Sequence, residues 1–227
     1  MGHYMRETAV IHRVKDGYTT GARTLATRSI VRLTRTRITP NALTVAGVTL
    51  SLAASVVVAF ENRDPWAIYW AGAVLFVVGS VLDILDGALA RAGGKATQFG
   101  AFLDSTTDRV GEGAMLGAIA LVFHRHDHPV AIALTFAAVI GSFLVSYTRA
   151  RAEAIGLRGD VGLGSRAERV VVVTGGLVLA PISIWLLVGS IALLTATAWL
   201  TVLQRILHVR KQLRSFGGST LDDSDQR

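Results

Sequence analysis

"DILDGALARAGGKATQFGAFLDSTTD", residues 83–108, carries four aspartates between two apolar runs, "AIYWAGAVLFVVGSVL" at 67–82 and "AMLGAIALVF" at 114–123. Charge in or near hydrocarbon is expensive, so these acids must hold something that compensates. The connection "RAGGKATQ" is short and has two glycines. It predicts two antiparallel helices side by side, turning near Lys95. Asp86 and Asp104 each stand nine residues from that centre, Asp83 twelve and Asp108 thirteen. At about 1.5 Å per residue, the acids lie at matching depths, roughly 13–20 Å from the turn less what the loop consumes. Asp83 and Asp86 are spaced i, i+3, and Asp104 and Asp108 are spaced i, i+4, so each pair shares a helix face. Four carboxylates so close do not all stay ionised without counter-charge. Arg91 and Arg109 are candidates but number only two. Divalent cations would complete the balance. All-oxygen ligands favour Mg²⁺ or Mn²⁺ over zinc, and paired metals on carboxylates suit displacement at phosphorus. The competing reading is an ion-paired network that only ties helices together. Gly87, Ala90, Gly100 and Ala101 leave room beside the acids, for a ligand or for a neighbouring helix.

The surrounding chain reads as a membrane protein. Of 227 residues, 51% are hydrophobic and 17% charged, too apolar for an ordinary soluble domain. Spans are expected at 41–60, 66–90, 98–123, 129–149, 168–186 and 187–207, each near the ~20 residues that cross a bilayer. The last two share one long apolar stretch, with Pro181 as the natural break. The fold class is therefore all-α: a polytopic membrane protein of six transmembrane helices in one bundle. Residues 18–38 add an N-terminal interfacial amphipathic helix, with Ala22, Leu25, Ala26, Ile30 and Leu33 on one side and Arg28, Arg32 and Arg35 largely on another. "TPN" at 39–41 starts span one, Pro40 suiting a helix N-terminus. The expected organisation is a basic segment at 1–38, a transmembrane domain at 39–212 and a polar, disordered tail at 213–227.

A net charge of +7 would suit nucleic acid in a soluble protein. Here most basic residues fall on alternate loops, so membrane lipids are the expected partner and nucleic acid is not. The positive-inside rule places both termini, and the acidic site, on the cytoplasmic side of the cell membrane. The sequence has no cysteine, which excludes disulfide and thiolate chemistry. The first apolar run begins near Asn41, too late and too long for a secretory signal peptide. "HRHDH" (His124, His126, His128) reads as a polar external turn rather than a metal site. An ion or proton transporter with an acidic relay is the rival class. It fits less well, since the acids cluster towards one face and no internal repeat is visible.

The acidic stretch resembles the signature of the CDP-alcohol phosphotransferases, D-x2-D-G-x2-A-R-x8-G-x3-D-x3-D. Asp83, Asp86, Gly87, Ala90, Arg91, Gly100, Asp104 and Asp108 fill every fixed position. With residue frequencies below roughly 10%, such a match at a given start has odds on the order of 10⁻⁸. The resemblance implies a dimeric membrane enzyme that uses two divalent cations, Mg²⁺ or Mn²⁺. It would move the phosphatidyl group of CDP-diacylglycerol onto an alcohol and release CMP. It further implies that Asp83, Asp86, Asp104 and Asp108 are metal ligands and Asp108 also the general base. Gly87, Ala90, Arg91 and Gly100 would form the CDP pocket, with Asn41 at its border.

A second basic cluster, "SYTRARAEAIGLRGDVGLGSRAERV", lies at 146–170. Guanidinium groups suit bidentate phosphate binding; positive-inside anchoring on headgroups is the plainer reading. The stretch resembles the matching region of the phosphatidylinositol-phosphate synthases, with Arg149 where that pattern favours lysine. This implies phosphate-binding roles for Arg149, Arg151, Arg166 and Arg169. The expected acceptor is a phosphorylated alcohol, inositol 1-phosphate, with glycerol 3-phosphate as the rival.

Overall fold

The computed structural model describes residues 39–61, 65–162 and 164–222, with side chains through 214. The expected interfacial helix at 18–38 lies outside the described residues. Among them the chain forms six helices and no strand: α1 (Pro40–Ala59), α2 (Pro65–Ala92), α3 (Gln98–Arg125), α4 (Pro129–Ala154), α5 (Arg166–Leu179) and α6 (Ile184–Asp222). Four have the length and apolarity to cross a membrane: α1, α2, α4 and the Ile184–Arg214 part of α6. The third and fifth expected spans are less apolar or shorter. Helix α3 carries Asp104, Asp108, Arg109 and Glu112 in its first half. Helix α5 has only 14 residues, about 21 Å of helix.

The helix boundaries follow local chemistry. Thr39 caps α1, accepting from the Ala42 N–H, and Pro40 opens it, as "TPN" suggested. Thr97 caps α3 by accepting from the Gly100 N–H at 2.9 Å. Ser165 and Glu168 form a reciprocal capping box at the start of α5, each satisfying a backbone donor that the first turn leaves open. The α5–α6 break falls around Pro181, so α6 begins at Ile184 rather than 187. It runs on to Asp222, so the tail, expected to be disordered, is helical over its described part. No proline interrupts it.

The core occupies the end of the bundle away from the acids. Met115, Leu116, Ile119, Val122 and Phe123 of α3 are buried against Val58, Tyr69, Phe76, Leu177, Leu187, Ile191 and Leu194. Many other large apolar side chains face outwards, among them Val74, Val81, Ile84, Phe136 and Trp185. That suits a bundle whose solvent is lipid. At the core end, "HRHDH" forms the polar turn expected of it. His126 meets Glu61 at 3.2 Å, and His128 packs edge-on against Trp185.

The expected pairing of the two acidic helices also fails. Helices α2 and α3 are consecutive but are not a close-packed pair; α1 packs against both. Glycines explain how. A Cβ on Gly79 would lie 2.7 Å from the Gly47 carbonyl oxygen, so α1 and α2 touch backbone to backbone. On the other side, a Cβ on Gly111 would stand 3.1 Å from Ser51 Cβ. Helix α1 thus holds α2 and α3 a side chain's length apart, and the acids point into the space between. The remaining close pairs are α3 with α4, α4 with α6, α5 with α6, and α2 with α5.

Candidate active site

The acids converge as their spacing implied. Carboxylate oxygens of Asp83 on α2 and of Asp104 and Asp108 on α3 lie within 4.8 Å of one another. Asp83 is buried and the other two half-buried. Asp86 stands beside this trio. It is buried, and the Thr44 hydroxyl of α1 donates to it.

Arg91 and Arg109 lie near enough to act electrostatically on Asp86, Asp104 and Asp108, but neither forms the direct ion pair. Arg109 turns back to the Ser105 carbonyl on its own helix, and the Arg91 guanidinium lies along Gly87, where a Cβ would sit 3.3 Å from Nη1. Instead Arg166, the first residue of α5, makes ion pairs with Asp83 and, at 2.9 Å, with Asp108.

The Asp108 Oδ1 atom is buried and receives no hydrogen bond, the Arg166 contact being close but not aimed as one. One guanidinium in direct contact leaves these three carboxylates with an excess of negative charge. Three convergent carboxylates in this state fit a hard divalent cation.

Two cavities flank the acids. One, of about 140 Å³, is lined by Asn41, Thr44, Asp86, Gly87, Ala90, Arg91, Thr97, Gly100 and Asp104. It gathers every residue expected of a CDP pocket. Gly100 keeps it open, since a Cβ there would lie 3.0 Å from Thr97 Oγ1 and 3.4 Å from Asn41 Oδ1.

The other cavity, of about 250 Å³, is lined by Asp108, Glu112, Arg149, Asp160, Arg166, Arg169 and Arg205, among others. Three of the four expected arginines meet there. Arg151 does not; it is exposed on α4, outside the lining. Arg149 carries an exposed i, i+4 pair with Glu153 at 2.9 Å, the kind worth little. Arg169 is already engaged. Its Nε and Nη2 donate to both carboxylate oxygens of Glu112, at 2.6 and 2.8 Å, and Nη1 donates to the Gly164 carbonyl at 2.8 Å.

Sequence reasoning missed Thr44, Glu112, Asp160 and Arg205. Glu112 carried a signal, because it continues the i, i+4 spacing of Asp104 and Asp108 along one face. Arg205 carried one too, since it falls inside the expected span at 187–207, where a charge needs a partner. It reaches from α6 to the Val161 carbonyl at 2.9 Å and to that of Val145, pinning the α4–α5 loop. That loop includes Gly162 at φ 114°, a backbone conformation that favours glycine. The Gly164 N–H donates to Thr201 Oγ1 at 2.9 Å, fixing the same loop to α6.

A family model for CDP-alcohol phosphatidyltransferase matches residues 37–208. The archaetidylinositol phosphate synthase of Pyrococcus horikoshii is 38% identical over 178 residues, which cover 78% of this chain and 86% of that protein. The phosphatidylinositol phosphate synthase of Mycobacterium tuberculosis is 40% identical over 146 residues, 63% of this chain and 64% of that protein. A crystal structure of the M. tuberculosis phosphatidylinositol phosphate synthase with CDP-DAG bound superposes with a TM-score of 0.71 at 33% identity, covering 82% of this chain and 94% of that one. A second, in complex with manganese and citrate, gives a TM-score of 0.69 at the same identity, covering 82% and 87%.

Proposed function

The chain belongs to the CDP-alcohol phosphatidyltransferase family, and on that premise we propose that it transfers the phosphatidyl group of CDP-diacylglycerol to inositol 1-phosphate and releases CMP. The observation that carries this reading is the pair of unlike cavities on the two sides of one carboxylate cluster. A transfer between two substrates needs two sites that share a reactive centre, and a transporter relay does not.

The roles follow from position. Asn41, Gly87, Ala90, Arg91 and Gly100 border the smaller cavity and receive the cytidine diphosphate. Asp83, Asp86, Asp104 and Asp108 hold the divalent cations, Mg²⁺ or Mn²⁺, as a set of hard oxygen ligands. When bound, the cations screen the pyrophosphate charge and stabilise the departing CMP. Arg149, Arg166 and Arg169 face the larger cavity and orient the phosphate of the acceptor. Arg151, exposed outside it, takes no part. Asp108 borders the cationic cavity and also belongs to the acid cluster, which suits a base for the acceptor hydroxyl. The hydroxyl oxygen forms a bond to the phosphorus that bears the lipid. The bond from that phosphorus to CMP breaks, and the hydroxyl proton passes to Asp108.

The chain is a multi-pass membrane protein, and the basic loops favour both termini and the acidic site facing the cytoplasm. In this arrangement α3 and α5 complete six spans, and two copies associate as a homodimer. Apolar side chains left facing outwards on α2 and α4 are compatible with both lipid and a second copy.

The test is to incubate the purified chain with CDP-diacylglycerol and Mg²⁺ plus either inositol 1-phosphate or glycerol 3-phosphate, and to identify the lipid product and CMP. Turnover with glycerol 3-phosphate alone would overturn the acceptor assignment and spare the transferase. No CMP release with either would remove both.

A further inference from the structure

Arg166 and Arg169 lie one turn apart at the start of α5, yet they are held in opposite ways. Arg169 is buried and fixed, with two bonds to Glu112 and one to the Gly164 carbonyl. Those anchors belong to the bundle itself. Arg166 is 29% exposed, and its ion pairs go to Asp83 on α2 and Asp108 on α3. The same guanidinium lines the cationic cavity. One long side chain therefore touches both acidic helices and looks into the space where an anion would sit.

We propose that Arg166 is an exchangeable counter-charge that couples cation binding at the acids to oxyanion binding in the neighbouring cavity. The inference rests on the metal and phosphate roles assigned above. A positive charge in contact with Asp83 and Asp108 opposes the approach of a second cation to the same oxygens. A tetrahedral oxyanion in the cavity offers Arg166 an alternative partner with matching bidentate geometry. As Arg166 turns to the oxyanion, the two carboxylates lose its positive charge and bind the cation more tightly. Linkage makes the effect reciprocal, so the cation raises oxyanion affinity by the same factor. Arg169 cannot act this way, because leaving its place would strand Glu112 nearly buried and unpaired. The anion thus meets one fixed guanidinium and one that it must win from the acids. The half-loaded states are disfavoured, and the site fills with cation and acceptor together.

The test reads Mn²⁺ binding to the detergent-solubilised full chain from the paramagnetic resonance signal of free Mn²⁺. Sulfate is the oxyanion probe, against chloride at matched ionic strength, with no lipid present. Sulfate should tighten Mn²⁺ binding to the unaltered chain about fivefold or more, the usual scale of such coupling. Arg166→Gln should tighten Mn²⁺ binding by a similar factor without sulfate and abolish the response to it. Arg166→Lys keeps the charge and should keep part of that response. An unaltered chain whose Mn²⁺ affinity ignores sulfate overturns the proposal without needing any variant. So does weaker Mn²⁺ binding in a cooperatively folded Arg166→Gln chain, or a lysine variant that behaves like the glutamine one. Normal Mn²⁺ binding with no sulfate effect refutes the coupling alone, while CMP release tests the transferase reading separately.

Discussion

Replacing Glu112 by glutamine should loosen the face of α5 that presents Arg166 and Arg169. The Glu112 carboxylate accepts from Arg169 Nε at 2.6 Å and from Nη2 at 2.8 Å. The two side chains are only 11% and 6% exposed. Glutamine keeps one acceptor oxygen and turns an amide NH₂ towards a guanidinium N–H, so one bond is lost and two donors collide. Removing one partner of a fully buried pair costs about 3–5 kcal/mol. Here the adjoining cavity lets water reach the freed guanidinium, which lowers the expected cost to about 2–3 kcal/mol. For a chain of this size that lowers Tm by roughly 5–10 °C. Intrinsic fluorescence of Trp66, Trp70, Trp185 and Trp199 during thermal unfolding in detergent measures it. The KM for inositol 1-phosphate should rise as well, because Arg169 is no longer aimed.

A double variant, Glu112→Leu with Arg169→Met, separates the two effects. Replacing both members of a buried pair by apolar residues is often neutral or stabilising, so Tm should recover most of the loss. The acceptor KM should stay high, because the guanidinium is gone. If Glu112→Gln melts within about 1 °C of the parent, a change worth only a fraction of a kcal/mol, the pair does not hold α5. If the double variant melts below either single one, the desolvation argument is wrong.

Asp83→Asn, Asp86→Asn and Asp104→Asn should each lose most CMP release and bind Mn²⁺ more weakly, and a chelator should stop the parent enzyme. A variant with near-normal rate and Mn²⁺ affinity is not carrying an essential ligand. Asp108→Asn should slow the single-turnover chemical step far more than it weakens CDP-lipid binding, since asparagine keeps the shape but cannot take the proton. Equal losses in both measurements would make Asp108 a ligand only. Gly79→Ala should push α1 from α2, because its Cβ would lie 2.7 Å from the Gly47 carbonyl. A cost of about 1–3 kcal/mol is expected, read as a lower Tm, and an unchanged Tm would mean the helices part without penalty.

The convergence of Asp83, Asp104 and Asp108 was legible because it depends on local geometry. A short turn, a constant rise per residue and i, i+4 spacing suffice to bring those oxygens to one depth. The α2 and α3 side of the smaller cavity was legible through the family pattern, which lies within the same stretch of chain, whereas Thr44 on α1 was not. The six helices of the described residues followed the apolar runs, four of them long and apolar enough to cross a membrane, but which helices touch did not follow. Helix α1 packs against both acidic helices through Gly47 and Gly111, and periodicity within one helix says nothing about its neighbour.

The source of the direct ion pair shows the same limit most clearly. Arg109 follows Asp108 directly, and adjacent residues on a helix point about 100° apart, so they do not face each other. Arg91 is five residues beyond Asp86 and folds back along Gly87. These two arginines act on the acids through space without making a direct ion pair. A direct partner for acids on two separated helices has to come from a third element that faces both. Helix α5 meets that condition, since it packs on α2 while its Arg169 is tied to Glu112 of α3. Its capping box fixes where the first turn begins, and the first residue of that turn is Arg166. The residue with the strongest claim on the acids is thus set by a helix start more than fifty positions after Asp108, and the tie that holds this helix in place is Glu112, four residues after it.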